Sequence, residues 1–268
     1  MILLKYISGM LNFQVLSNSN LLCTLNLELL YPAEKDLQSF DHRWQEFFAS
    51  DLNNQYVFTR KGNTISYPHK SWVPEKNNGK YSTLFLFGNP APHSVMKDVC
   101  FAYEGGGVEH RFWKVFRELG FIDLFGTDKD IKNKFLNLEY NSPFRLGFEV
   151  LYTFPSSASK PRWSGVMGLE RLFGKQAIKQ ILIVEKERLK PLIDRFLRNN
   201  GVIIAMQKDA YNAVSQNTYH LNLAVNSKLS SEYNENIKIY GTPPTRWLHT
   251  NKMKDLLLGI KEKIGRLY

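Results

Sequence analysis

The sequence predicts an α/β fold in three layers, a central four-stranded parallel sheet with helices on both faces, preceded by an N-terminal helical extension over residues 1–80. Two short apolar runs, LFLF at 84–87 and VIIA at 202–205, have the unbroken apolar character of strands covered on both sides. A third segment, IKIY at 237–240, likewise ends in a turn and a helical pattern. Strand followed by helix, repeated three times, is the mark of parallel pairing through crossover connections. A chain of 268 residues can hold one large α/β domain or a core with an appendage, and the core is expected over residues 81–268.

Within the extension, residues 32–50 place Leu37, Phe40, Trp44, Phe47 and Phe48 at helical spacing behind an acidic start, which predicts an amphipathic helix. Residues 51–80 are polar, with Gly62, Pro68, Pro74 and the run KNNGK, and predict loops with a short hairpin around RKGN. From Tyr81 the first core strand runs into a Gly88-Asn89-Pro90 turn. Residues 109–120 predict a helix with Phe112, Val115, Phe116 and Leu119 on one face and Gly120 as its stop signal. Residues 148–154 predict the second strand, emptying into the loop PSSASKPRWSG. Helices are expected over 169–178 and 186–199, with 180–184 ambiguous. The strand VIIA then leads into the helix KDAYNAV, and IKIY leads through GTPPT into a helix over 251–264. That last helix gathers Met253, Leu256, Leu257, Ile260 and Ile264 on one face and Lys252, Lys254, Lys261 and Lys263 on the other.

Thirty-five Lys and Arg face 25 Asp and Glu, a net charge of +10, and 13% of residues are aromatic. Cations and rings together suit a nucleic acid, while charge alone equally describes a solvated surface. The two cysteines, Cys23 and Cys100, form no CxxC pair, which excludes a four-cysteine zinc or iron–sulfur site within one chain and a disulfide framework. They read as free thiols of a reducing compartment, so an intracellular protein, cytoplasmic or nucleoid-associated, is expected. No metal and no cofactor is expected. Lys5, Asn12, Gln14, Asn18 and Asn20 interrupt the early apolar patches, so neither a signal peptide nor a membrane span is expected. No GxxxxGK[ST] or GxGxxG motif occurs.

The strand LFLFGNPAP, the following CFA and the helix HRFWKVFRELGF resemble the first motif of the uracil-DNA glycosylase superfamily, most closely its mismatch-specific (thymine/uracil) branch. There a strand ends in Gly-x-Asn-Pro-Gly, followed by Pro-Phe-Ala and an Asn-Arg-Phe-Trp-Lys-Val helix. GVIIAMQKDAYNAV is similar to the family's third strand and its helix, and GTPPTRW stands where the second motif, His-Pro-Ser or Asn-Pro-Ser, precedes the closing helix. The resemblance covers roughly residues 81–268 and implies a monomeric, monofunctional DNA glycosylase of base excision repair. Uracil is the first expected target, with hypoxanthine or thymine opposite guanine behind it. Such enzymes flip a base out of the stack and hydrolyse its glycosidic bond. The alternative reading is a DNA- or nucleotide-binding member with weak or lost catalysis. Two departures motivate it: the glycine-bearing insertion YEGGGVEH before Arg111, and Thr242 in place of the second-motif His or Asn. A neutral Thr hydroxyl donates one hydrogen bond and stabilises a leaving base less than an imidazole does.

Residue by residue, the resemblance implies that Asn89 orients the attacking water and that Thr242 stands at the leaving-group position. Phe101 matches the base-stacking ring, with Tyr103 as the alternative, and Gly88 and Pro90 line the base. Arg246 either enters the gap left by the base, clamps a phosphate, or forms a surface ion pair. The loop residues Ser156, Ser157, Ser159, Lys160 and Arg162 are candidates for phosphate contact, although serines also cap helices. His93 and His110 read as DNA contacts, general acids or structural groups. Asp98, Glu104 and Glu109 are lesser candidates for activating the water.

Overall fold

The computed structural model describes residues 6–7, 9–17, 19–102, 108–157, 160–198 and 200–266. In chain order the strands are β1 (Tyr6–Ile7), β2 (Leu11–Ser17), β3 (Asn20–Asn26), β4 (Thr59–Lys61), β5 (Thr64–Lys70), β6 (Ser82–Phe87), β7 (Arg145–Val150), β8 (Gly201–Met206), β9 (Ser230–Asn234) and β10 (Ile237–Thr242). The helices are α1 (Leu27–Leu30), α2 (Glu34–Ala49), α3 (Asn54–Val57), α4 (Pro92–Met96), α5 (Arg111–Glu118), α6 (Asp128–Asn137), α7 (Gly165–Phe173), α8 (Lys175–Leu197), α9 (Lys208–Val214), α10 (Leu221–Val225) and α11 (Asn251–Gly265). Among the described residues, no helix is long and apolar enough to cross a membrane. Two compact units result, one of Met1–Ser71, Asn89–Asp98 and Leu151–Pro191, the other of Trp72–Gly88, Val99–Val150 and Leu192–Tyr268.

The first unit corrects the expectation of a helical extension. The helix over 34–49 is there, burying Phe40, Trp44 and Phe47, but the unit is built on an antiparallel sheet of order β1-β2-β3-β5-β4. Leu11 pairs with Leu25 and Phe13 with Cys23, while across the next ladder Cys23 pairs with Tyr67 and Leu25 with Ile65. All six are buried on one face. The polar residues Asn12 and Gln14, which interrupt the apolar patches, are the alternate positions of a strand with one wet face. The hairpin around Gly62 is β4 and β5, with Gly62 at φ +55°, where glycine carries no Cβ penalty.

A buried ion pair fastens the same unit. The Glu185 carboxylate on α8 accepts hydrogen bonds from the backbone N–H and the hydroxyl of Thr153, both at 2.6 Å, and from Arg188 Nε at 2.7 Å. Glu185 is fully buried and Arg188 nearly so. Both helices of the 165–197 region differ from the expected limits: α7 begins at Gly165, and the ambiguous 180–184 stretch lies inside α8.

The second unit holds the predicted parallel strands. The sheet order is β7-β6-β8-β10-β9, with β7, β6, β8 and β10 mutually parallel and β9 antiparallel on the edge. The sheet is therefore five-stranded and mixed. The extra strand, SSEYN, escaped the sequence reading because a short, polar, half-exposed edge strand lacks an apolar run. Strand β7 starts three residues before the expected 148 and stops at Val150. Its first residue, Arg145, is 2% exposed. The guanidinium donates to the carbonyls of Pro74 (2.7 Å), Lys76 (2.8 Å) and Phe196 (2.9 Å) and lies over the Phe196 ring. Trp72 exchanges two backbone hydrogen bonds with Phe148 and so covers the outer edge of β7.

Strands β6 and β8 are buried along their whole length. Phe85 and Phe148 pack against Phe116 and Phe112 of α5, with ring centroids 4.9 and 5.3 Å apart respectively. The next residue back, Gly147, points to the opposite face. A Cβ there would lie 2.9 Å from the tip of Phe196. As expected, α11 buries Met253, Leu256, Leu257, Ile260 and Ile264.

Removing the Glu185 carboxylate would take a charged partner away from the nearly buried Arg188 guanidinium. Glu185→Ala is expected to lower unfolding stability by about 3–5 kcal/mol, read from urea denaturation; a loss below about 1 kcal/mol would show that Arg188 finds water on its own.

Candidate functional site

Strand β6 ends in the predicted turn, and Asn89 follows its last residues directly. The Asn89 side chain is half-buried. Its Nδ2 donates to Ser156 Oγ at 2.7 Å and to the carbonyls of Phe154 and Pro90, both at 3.3 Å. Ser156 in turn donates its backbone N–H to Pro90 O (3.0 Å) and its hydroxyl to Gly165 O (3.1 Å). Two of the three groups around Nδ2 are carbonyls, which only accept, so the amide cannot be turned round without setting oxygen against oxygen. This fixes Oδ1 on the other side, where it has no hydrogen-bond partner among the described residues. A neutral acceptor held in one orientation can align a water without deprotonating it.

The rest of that loop departs from its expected role. Ser156 and Ser157 are 2% and 1% exposed, so their hydroxyls shape the loop and do not reach a phosphate; Ser157 Oγ accepts the N–H of Lys160 at 3.3 Å. Arg162 is held by Glu46 at 2.9 Å and stacks over Trp163, which is a surface ion pair. Lys160 is exposed. His93, on α4, is half-exposed, with Nε2 3.5 Å from Ser94 Oγ. Asp98 lies 3.5 Å from Lys70. Ser159, Tyr103, Glu104 and the glycines at 105–107 lie outside the described residues.

In the second unit, Phe101 is half-buried and stacks on Phe112 with centroids 4.0 Å apart, while the ring of His110 lies 5.1 Å away. Its backbone is left-handed, φ +52°, an uncommon state for a bulky residue. The indole N–H of Trp113 donates to the Phe101 carbonyl at 3.0 Å and holds that conformation. His110 caps α5, Nδ1 accepting the N–H of Phe112 at 3.1 Å. Glu109 is bound by Arg117 and is thereby no free base.

Thr242 ends β10 fully buried, its hydroxyl donating to Pro243 O at 3.0 Å and its carbonyl accepting from the Tyr219 hydroxyl at 3.2 Å. Expected to act on a leaving group, this hydroxyl instead closes its own turn. β8 separates β10 from β6, so Thr242 and buried Gly88 stand two strand spacings apart, about 10 Å. Arg246, on the 3-10 turn Thr245–His249, is exposed and forms no ion pair among the described residues.

Sequence reasoning missed Gln207. It follows the last residue of β8, in register with the ends of β6 and β10. The connections from β6 and β8 leave toward opposite ends of the sheet, which makes the gap above their carboxyl ends the switch point where ligands bind in such sheets. Gln207 has φ 121° and ψ 170°, a conformation otherwise left to glycine, and its buried Nε2 has no hydrogen-bond partner among the described residues. One turn later, the fully buried Tyr211 hydroxyl also has no hydrogen-bond partner among the described residues. The position at a strand end was legible, the strain was not.

Burial, reinforced by the nearby Glu149 carboxylate, pushes the Cys100 thiol well above its ordinary range. A raised thiol titration means less thiolate at any given pH, so Cys100 is expected to react with Ellman's reagent at pH 8 far more slowly than a free thiol, and at the free rate once unfolded. Fast reaction in the folded state would remove that reading. Set against models of known protein families and against curated proteins, the chain matches none of them.

Proposed function

We propose that the chain is a DNA glycosylase that hydrolyses the bond between deoxyribose and a flipped-out damaged or mismatched base, uracil before hypoxanthine or mispaired thymine. The observation that carries this reading is the clamped amide of Asn89, with Nδ2 facing three acceptors and Oδ1 without a hydrogen-bond partner among the described residues. In the proposed reaction Oδ1 accepts a hydrogen bond from water, whose oxygen bonds to C1′ as the C1′–N bond breaks. The bonding pair leaves with the base, and the water's surplus proton passes to solvent or to the departing base. An early-departing base makes the sugar oxocarbenium-like, so a neutral orienting group suffices and no strong base is required. By the resemblance, Phe101 is assigned to base stacking, worth about 1–3 kcal/mol per base. The four parallel strands β7, β6, β8 and β10 support the three-layer, glycosylase-like assignment.

Thr242 favours the second reading, a DNA-binding relative with little catalysis, because its hydroxyl is spent on Pro243 O. Oligonucleotides carrying uracil, hypoxanthine or a G·T mismatch separate the two, with abasic products revealed by alkali. Excision of at least one substrate is expected, falling about 10²-fold or more in Asn89→Ala under single-turnover conditions. Survival of every substrate in excess enzyme selects the second reading.

A further inference from the structure

The solvent face of α5 has a composition unlike its buried one. Phe112, Trp113, Val115 and Phe116 are buried, while Arg111 and Lys114, three apart and therefore on one stripe, are exposed. The stripe continues to Glu118, which is fixed by Lys254 Nζ of α11 at 2.7 Å, and at the helix end Lys261 Nζ donates to Leu119 O at 2.8 Å. These contacts set the C-terminal half of α5 beside α11. The 3-10 turn Thr245–His249, which immediately precedes α11, also packs against α5. Arg246 on that turn and Lys252 at the start of α11 are exposed.

Charge along this face is unbalanced in one direction. The two acids on α5 and just before it are already occupied, Glu118 by Lys254 and Glu109 by Arg117. Arg111, Lys114, Arg246 and Lys252 form no ion pair among the described residues. The stripe begins at His110, whose ring lies against the half-buried Phe101. Four cations that form no ion pair among the described residues, beside a partly accessible ring, match a polyanion that carries stackable bases.

The geometry points to a nucleic-acid backbone site on this ridge, formed by Arg111, Lys114, Arg246 and Lys252, each neutralising a phosphate. It rests on the reading of DNA as the partner, and it extends that reading to residues with no part in the chemistry. Phosphate neutralisation releases counter-ions, so the log of affinity falls with the log of salt by about 0.9 per contact on duplex DNA.

The test measures binding of an undamaged, labelled duplex by fluorescence anisotropy between about 50 and 300 mM salt, a range over which counter-ion release is readable. For Arg111→Gln/Lys114→Gln the slope is expected to shrink by about 1.8, two contacts' worth, while Arg111→Lys/Lys114→Arg keeps it. The charge-matched control Lys179→Gln/Lys186→Gln, on the exposed side of α8, should leave it unchanged. Equal loss in both charge-removing doubles would mean a diffuse effect of net charge and overturns the site, as does an unchanged slope in the first. Vesicles of phosphatidylserine and phosphatidylcholine run alongside; if only vesicle binding responds to the ridge, the partner is a membrane surface and the proposal fails. Undamaged DNA involves no excision, so a ridge that binds in a protein that cuts nothing sinks the glycosylase reading alone.

Discussion

Strands β6 and β8 are buried on both faces from end to end, and the organisation of the second unit follows from that constraint. Two runs of six ladder positions without water leave no room for an unpaired backbone group, so both strands must be flanked by partners, β7 on one side and β10 on the other. Within β6 the polar side chains Ser82 and Thr83 stand at its start, and Leu84 to Phe87 and the whole of β8 are apolar or glycine. Polar chemistry is thereby pushed to the carboxyl ends, where Gly88, Gln207 and Thr242 terminate three of the strands. The aromatic layer of Phe85, Phe112, Phe116 and Phe148 is the packing counterpart of the same constraint.

How much of this was legible in the sequence depended on how far each residue's neighbours were local. LFLF, VIIA and the amphipathic α11 announce themselves because apolar runs and 3.6-residue periodicity need no knowledge of the partner. Arg145 could not, since a charged residue opens a buried strand only if carbonyls from Pro74, Lys76 and Phe196, distant in sequence, converge on it. β9 and the antiparallel sheet of the first unit failed for a different reason. Half-exposed strands alternate polar and apolar residues, and over five to seven positions that alternation looks like an interrupted patch.

The site residues divide along the same line. Asn89 was visible from its turn, but the clamp on its amide, formed by Phe154 O and Ser156 Oγ, comes from a loop some 65 residues downstream. Ser156, buried at 2% exposure, aligns Asn89 from within. Thr242 shows the opposite outcome, a residue in the expected place whose hydroxyl is turned into its own backbone. Gln207 had no sequence signal beyond its position, because backbone strain is a property of φ and ψ and of nothing in the composition around it.

The two backbone hydrogen bonds between Trp72 and Phe148 bear on how this protein behaves in a crowded solution. They occupy the outer rim of β7, which would otherwise present unsatisfied donors and acceptors to any extended chain nearby. At the far rim, β9 is only five residues long and carries exposed Glu232 at its middle, so a second copy laid antiparallel there would oppose carboxylate to carboxylate. With one rim capped and the other repelling its own image, the sheet of this unit is a poor template for ordered aggregation despite its apolar interior.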